Sequence, residues 1–269
     1  MTYSGDPSAG KTFASLKELA EWGDQWDRYD SSVDGPQPVP HLYTWSRQRN
    51  WWGSGATLSQ LHELARDHGI PVAWVPPSDV IRELVRAEAH HDAKLDVLVG
   101  HQQKIRTACH RMVPEDSDGW HADYPETARR VLAAWDDGHL LAAGCLALAA
   151  AEDLMFLVAR VERTRYKMYD GLKKAASIEP SPQFWPQDQV VLTPIEPLFS
   201  QYFPERDDPL PRNLSRHAVM HRLPLEHLTD GHCIVAIMLM VSLLAELEWH
   251  IIQEQAEASY EAGSAEGDC

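Results

Sequence analysis

Basic charge, paired cysteines and uninterrupted hydrophobic runs are all scarce in this 269-residue chain. It carries 24 Lys and Arg against 40 Asp and Glu, for a formal charge of −16. Such a surface repels nucleic acid as a whole and favours solubility or a basic partner, so any nucleic-acid role needs a local basic site. The four cysteines, Cys109, Cys145, Cys233 and Cys269, are far apart and form no C-x-x-C pair. Free thiols in a reducing cytoplasm are therefore expected. No signal-peptide pattern marks the N-terminus. The Ala- and Leu-rich run from Leu140 is interrupted by Glu152 and Asp153, and the run from Cys233 to Ala245 is shorter than the roughly 20 residues that span a bilayer. Both read as buried helices of a cytoplasmic protein without a membrane role.

A strand is missing where one motif requires it. Gly5 to Thr12, GDPSAGKT, fits the phosphate-loop pattern G-x-x-x-x-G-K-[ST], but only Met1, Thr2, Tyr3 and Ser4 precede it. A phosphate loop works between a buried parallel strand and a helix. Four mostly polar residues cannot supply that strand. The stretch reads instead as a terminus in which Ser8 or Thr12 caps a helix starting near Phe13, with Leu16, Leu19, Ala20 and Trp22 on its apolar side.

The first 76 residues are rich in tryptophan and proline. Pro36, Pro38 and Pro40 precede YTWSRQRNWW, where tryptophans beside Arg47 and Arg49 either pack a loop onto the core or stack on bases. A capped helix is expected from Thr57 to His68, with GIPVAW as the one strand-like piece. From Ser78 onward the periodicity is helical. Ile81, Leu84 and Val85 mark one helix, Leu95 to Met112 carry helical spacing, and another helix covers Pro125 to Trp135. The longest is expected from Gly138 to Ala176, apolar first and charged later, and a final helix from Leu228 to Glu257. The reading is all-α, a helical bundle with two long apolar core helices. It divides into residues 1–76, a bundle over 77–259 and an acidic tail over 260–269.

The densest chemistry lies in RNLSRHAVMH, residues 212–221. His217 and His221 stand one helical turn apart on one face. Arginine grips phosphate oxygens through paired N–H bonds, and histidine exchanges protons near neutral pH, a combination suited to phosphodiester cleavage. Arg216 to His221 resembles the R-[N/D/H]-x-x-x-H signature of HEPN domains, helical bundles found in bacterial toxin and phage-defence ribonucleases. Arg212 to His217 fits the same pattern one turn earlier; the later copy is favoured because it directly precedes LPLEHL and the last apolar helix. The resemblance extends back to the Ala-rich helix, where Glu152 and Asp153 resemble polar residues that family members place near the site.

The resemblance implies a metal-independent, cofactor-free endoribonuclease acting on RNA as a homodimer, with motifs from two chains facing one cleft and an inhibitory partner protein as a further expectation. Arg216, His221 and His217 would be catalytic, Arg212 and Asn213 would bind substrate, and Glu152 and Asp153 would support them. Two other readings stay open. In an inactive helical interaction module, Arg216 and the histidines would cap helices and pair with Glu152, Asp153 or Glu226. In a metal-binding protein, His217, His221 and His227 would serve as ligands at the spacing of a zinc-protease motif, but Ala218 occupies the place of that motif's general base. His90, His91, His101 and His110 read as solvated helix faces.

Overall fold

The computed structural model describes residues 49–51, 53–115, 121–160, 170–172, 190–222 and 225–266. The phosphate-loop pattern, the expected helix near Phe13 and the arginines of YTWSRQRNWW before Arg49 lie outside them. The fold is all-α, and the described residues form no strand.

Helix α1 spans Leu58–Asp67, and Thr57 caps it reciprocally with Gln60, satisfying two backbone N–H groups that a helix start leaves without partners. Helix α2, Ser78–Arg86, starts directly after Pro77 and buries Val80, Ile81 and Leu84. Helix α3, His91–Gly100, is capped by the His90 ring, which accepts from the Ala93 N–H. Helix α4 follows at Gln102–Met112, and α5 at Asp123–Asp136 buries Ala128, Val131, Leu132 and Trp135. The turn to α6, Leu140–Val158, passes through Gly138 at φ 83°, a left-handed conformation natural to glycine. Two short helices, α7 (Ile195–Leu198) and α8 (Arg216–Arg222), lead to α9, Asp230–Glu266.

The core is built on α6 and α9. Gly144 faces Cys233 near their starts, and Arg160, just past the end of α6, reaches Glu254 further along α9 at 2.8 Å, so the two helices run parallel. A parallel pair needs a connection that returns the chain to the starting end, and residues 159–229 provide it. Both helices are long and apolar enough to cross a membrane by length and composition; here they pack on each other, with 78% of the apolar window in α9 buried.

Three expectations change. The helix from Gly138 stops at Val158, where Arg160 takes a left-handed φ of 51°, and does not continue unbroken to Ala176. The final helix runs to Glu266, past the expected end at Glu257. GIPVAW is a buried irregular segment without a strand partner, and side chains satisfy its carbonyls. Asn50 and the Trp51 indole donate to the Val72 carbonyl, and Ser242 donates to that of Ala73. The Trp74 indole donates to the buried carboxylate of Glu246 at 2.8 Å. Periodicity sees an apolar run here, but cannot see that its polar backbone is paired by distant side chains.

Two measurements check this packing. A Cβ on Gly144 would lie 2.9 Å from both Cβ and Sγ of Cys233. Gly144→Ala should therefore cost about 1–3 kcal/mol in urea denaturation, despite alanine's better helix propensity. In α1, neither ring nitrogen of His62 has a partner among the described residues, and burial, helped by Arg66, pushes its pKa down to about 4. The folded state thus holds it neutral, and its contribution to stability falls as pH drops from the unfolded value of 6.5 towards 4. His62→Leu should gain about 1 kcal/mol near neutrality and flatten that part of the acid dependence.

Candidate functional site

Helix α8 is seven residues long and too short to persist by itself, so its placement depends on anchors at its ends. Its start is fixed by Ser215, a fully buried residue whose hydroxyl accepts from the Ala218 N–H at 3.3 Å. Leu214, Ala218 and Val219 press into the core. Arg216 then leaves the core side and meets α6. Its Nε donates to Glu152 Oε2 at 2.9 Å, with the two side chains 19% and 18% exposed.

This ion pair joins two of the sequence-derived groups, the Arg/His motif and the acidic pair on the Ala-rich helix. Glu152 and Asp153 line a cavity of about 480 Å³ together with Tyr124, Thr127, Leu146, Ala149, Ala150 and Phe156. Within it the Tyr124 hydroxyl donates to Asp153 Oδ2 at 2.5 Å. The cavity therefore lies between α5 and α6, with an apolar wall from α6 and polar groups from Tyr124, Thr127, Glu152 and Asp153. Tyr124 carried no signal of its own in the sequence; only the antiparallel turn at Gly138 brings it opposite Asp153.

The other site residues separate. His217 is half-buried on α8 beside Arg216. His221 lies in the same helix one turn further, and its side chain lies outside the described residues. Asn213 turns away from α6 and donates to the Asp67 carbonyl at the end of α1, 3.0 Å away. Arg212 is exposed, and its carbonyl lies 3.0 Å from His232 Nε2. In the earlier register Arg212 and Asn213 thus fall on a loop tied to α1 and α9 while His217 lies on α8; the later register, Arg216 to His221, lies wholly on α8.

The histidines depart furthest from expectation. His91, expected on a solvated face, is buried, as are His68, His227 and His232. The His68 and His91 rings stack at 5.8 Å, His91 Nε2 stands 3.3 Å from His232 Nε2, and the His227 and His232 rings are 4.9 Å apart. Burial pushes His91 and His227 down to about 4, with neighbouring His232 adding to the effect, and also lowers His68 and His232. His101 and His110 do lie outside, against Glu83 and Asp136. His227 Nε2 accepts the Ser215 N–H, which removes that nitrogen from a ligand set with His217 and His221. Among the described residues, no group of three or more His, Cys, Asp or Glu side chains is placed to hold a metal ion.

The Arg216–Glu152 pair should behave as a coupled unit in a double-mutant cycle. Arg216→Ala alone leaves a half-buried carboxylate short of its partner and should cost about 1–3 kcal/mol, while Arg216→Met with Glu152→Leu should recover most of that loss in thermal or urea unfolding.

No protein-family model, no curated protein and no solved structure matches the chain.

Proposed function

We propose that the chain is a metal-independent endoribonuclease of HEPN type, working in the cytoplasm as a homodimer that cleaves RNA, in the manner of toxin or phage-defence effectors held in check by an inhibitory partner. The observation that carries this reading is the Arg216–Glu152 ion pair. It joins the arginine of the motif on α8 to Glu152 of α6, one of the two acidic residues that resemble the polar residues family members place near the site, and Glu152 also lines the cavity.

The chemistry follows from the residue types. His221 takes the proton from a ribose 2′-hydroxyl, whose oxygen attacks the adjacent phosphorus. The P–O5′ bond breaks, the leaving 5′-oxygen takes up a proton from water, and the products carry a 2′,3′-cyclic phosphate and a free 5′-hydroxyl. Arg216 stabilises charge on the phosphate oxygens, and Glu152 fixes the direction of its guanidinium. General base help is typically worth about 10²–10⁴-fold and a fixed charge donor about 10²–10³-fold. In the dimer, the exposed Leu141 and Leu146 of α6 face the second copy and bring two motifs to one cleft.

The same ion pair favours a second reading. Both partners are about four-fifths buried, as suits a pair whose only task is to hold α8 on α6 in a catalytically inactive interaction module.

Incubation with total RNA and transfer RNA in EDTA separates the two. The nuclease gives 2′,3′-cyclic phosphate ends; the module leaves RNA intact. His221→Ala should lose about 10²-fold or more, and His217→Ala less, because His217 holds the motif's variable position. Lys11→Ala should change nothing. Arg216 is tested in the refolded Arg216→Met/Glu152→Leu pair: cleavage that stays lost while stability returns marks a catalytic arginine, and cleavage that returns with stability marks a structural one. Light scattering at micromolar concentration should show a dimer, and a clean monomer would count against the composite cleft.

A further inference from the structure

The loop that launches α8 is held by the buried histidine cluster, and the hydrogen bonds dictate the protonation each ring needs. Ser215 is fully buried, so its backbone N–H must find an acceptor inside the protein, and that acceptor is His227 Nε2 at 3.1 Å. Nε2 can accept only while it carries no proton. The ring's other backbone neighbour is Pro211, which has no N–H and so offers a carbonyl to Nδ1–H. His227 is thereby fixed as the neutral Nδ1–H tautomer. His232 contacts the His227 carbonyl through Nδ1 and the Arg212 carbonyl through Nε2. The cluster therefore grips both ends of the loop 212–215 from the start of α9.

We propose that His227 is a positioning residue and an acid-sensitive latch: neutral, it anchors Ser215 and the start of α8, and on protonation it presents an N–H to the Ser215 N–H and loosens the helix that carries Arg216. The consequence for cleavage rests on Arg216 belonging to the site; the loosening itself does not.

The surroundings oppose protonation in place. His232 of α9, His91 of α3 and His68 at the end of α1 face the same interior, and each would add positive charge. Arg212 of the loop acts in the same direction on His91, as does Lys94 of α3 on His68, while the Lys94 ammonium donates to the Leu84 and Ala87 carbonyls. Asp92, Glu63 and Asp67 act the other way, Asp92 on His91 and His232, Glu63 and Asp67 on His68. His232 differs from His227 in kind. Carbonyls at both of its nitrogens favour a second proton there, whereas a proton on His227 Nε2 removes the acceptor of the Ser215 N–H. The trigger is thus one atom, His227 Nε2. A ring held neutral to about 4 when latched and titrating near 6.5 when released makes release about tenfold more favourable per pH unit within that interval.

Hydrogen exchange read by mass spectrometry on the full chain tests this, between about pH 7 and pH 5 and with intrinsic exchange rates corrected for pH. Amides of 215–222 should lose protection by about tenfold per pH unit below about 6.5, while those of 234–247 in α9 keep theirs. His227→Gln, whose side-chain oxygen can accept the Ser215 N–H and does not titrate, should flatten the response. The latch is overturned if 215–222 keeps its protection in acid, if 234–247 loses protection in step with it, or if His227→Gln responds as the wild type does. Should that variant fail to fold, the comparison of the two segments in the wild type still decides. Where RNA is cleaved, the rate should fall in the same interval and not in His227→Gln. Absence of cleavage at every pH counts against the nuclease and leaves the exchange result standing.

Discussion

The close parallel contact of α6 and α9 is the constraint on which the rest of the molecule depends. Gly144 against Cys233 lets the two backbones approach, and both helices are rich in buried apolar residues, among them Ala147, Leu148, Ala151 and Met155 of α6 and Ile234, Ile237, Met238 and Val241 of α9. Small residues at a helix crossing exchange side-chain volume for proximity, and the dispersion gained is lost again if a methyl group is forced between them. Parallel direction then imposes the long return of the chain from Val158 to Asp230. That return carries α8 past the middle of α6.

Burying so much apolar surface drags polar groups inside, and several of them meet a partner from a distant part of the chain. Glu246 lies within the core of α9, where the Trp74 indole and His250 meet its carboxylate. Trp74 sits at φ 65°, an unusual conformation for an aromatic residue, in a segment whose carbonyls are satisfied by Asn50, Trp51 and Ser242. The segment around Trp74 is thus tied to Asn50 and Trp51 on one side and to Ser242 and Glu246 of α9 on the other. The histidine cluster applies the same rule at the start of α9, but with groups whose hydrogen-bonding character changes with pH.

Arg216 and Glu152 form a contact that serves folding and that, in the proposed nuclease, would also serve chemistry. A charge-assisted bond at the edge of the core keeps α8 in place at modest desolvation cost, since neither partner is fully buried. The same bond orients a guanidinium beside a cavity whose rim carries Asp153 and Tyr124. Around it the net negative charge of the chain repels a polyanion, so RNA binding would rest on this local arrangement and on the second copy.

The sequence by itself determined the fold class and most helix positions, because apolar spacing and Thr57 as a cap are local signals that need no partner. It also marked Arg216, Glu152 and Asp153 as the residues to watch, through residue type and motif. Only the tertiary structure decided that Arg216 and Glu152 meet across 64 positions of chain, that Asn213 turns to α1, and that Tyr124 faces Asp153. It alone placed His91 inside: α3 has so weak a periodic pattern that His91 and Lys94 share its buried side with Leu95 and Leu98. A buried histidine can answer a distant backbone group, and sequence spacing does not show which one. For His227 that group is the N–H of Ser215, 12 residues before it, a requirement that exists only once the loop has been folded into the core.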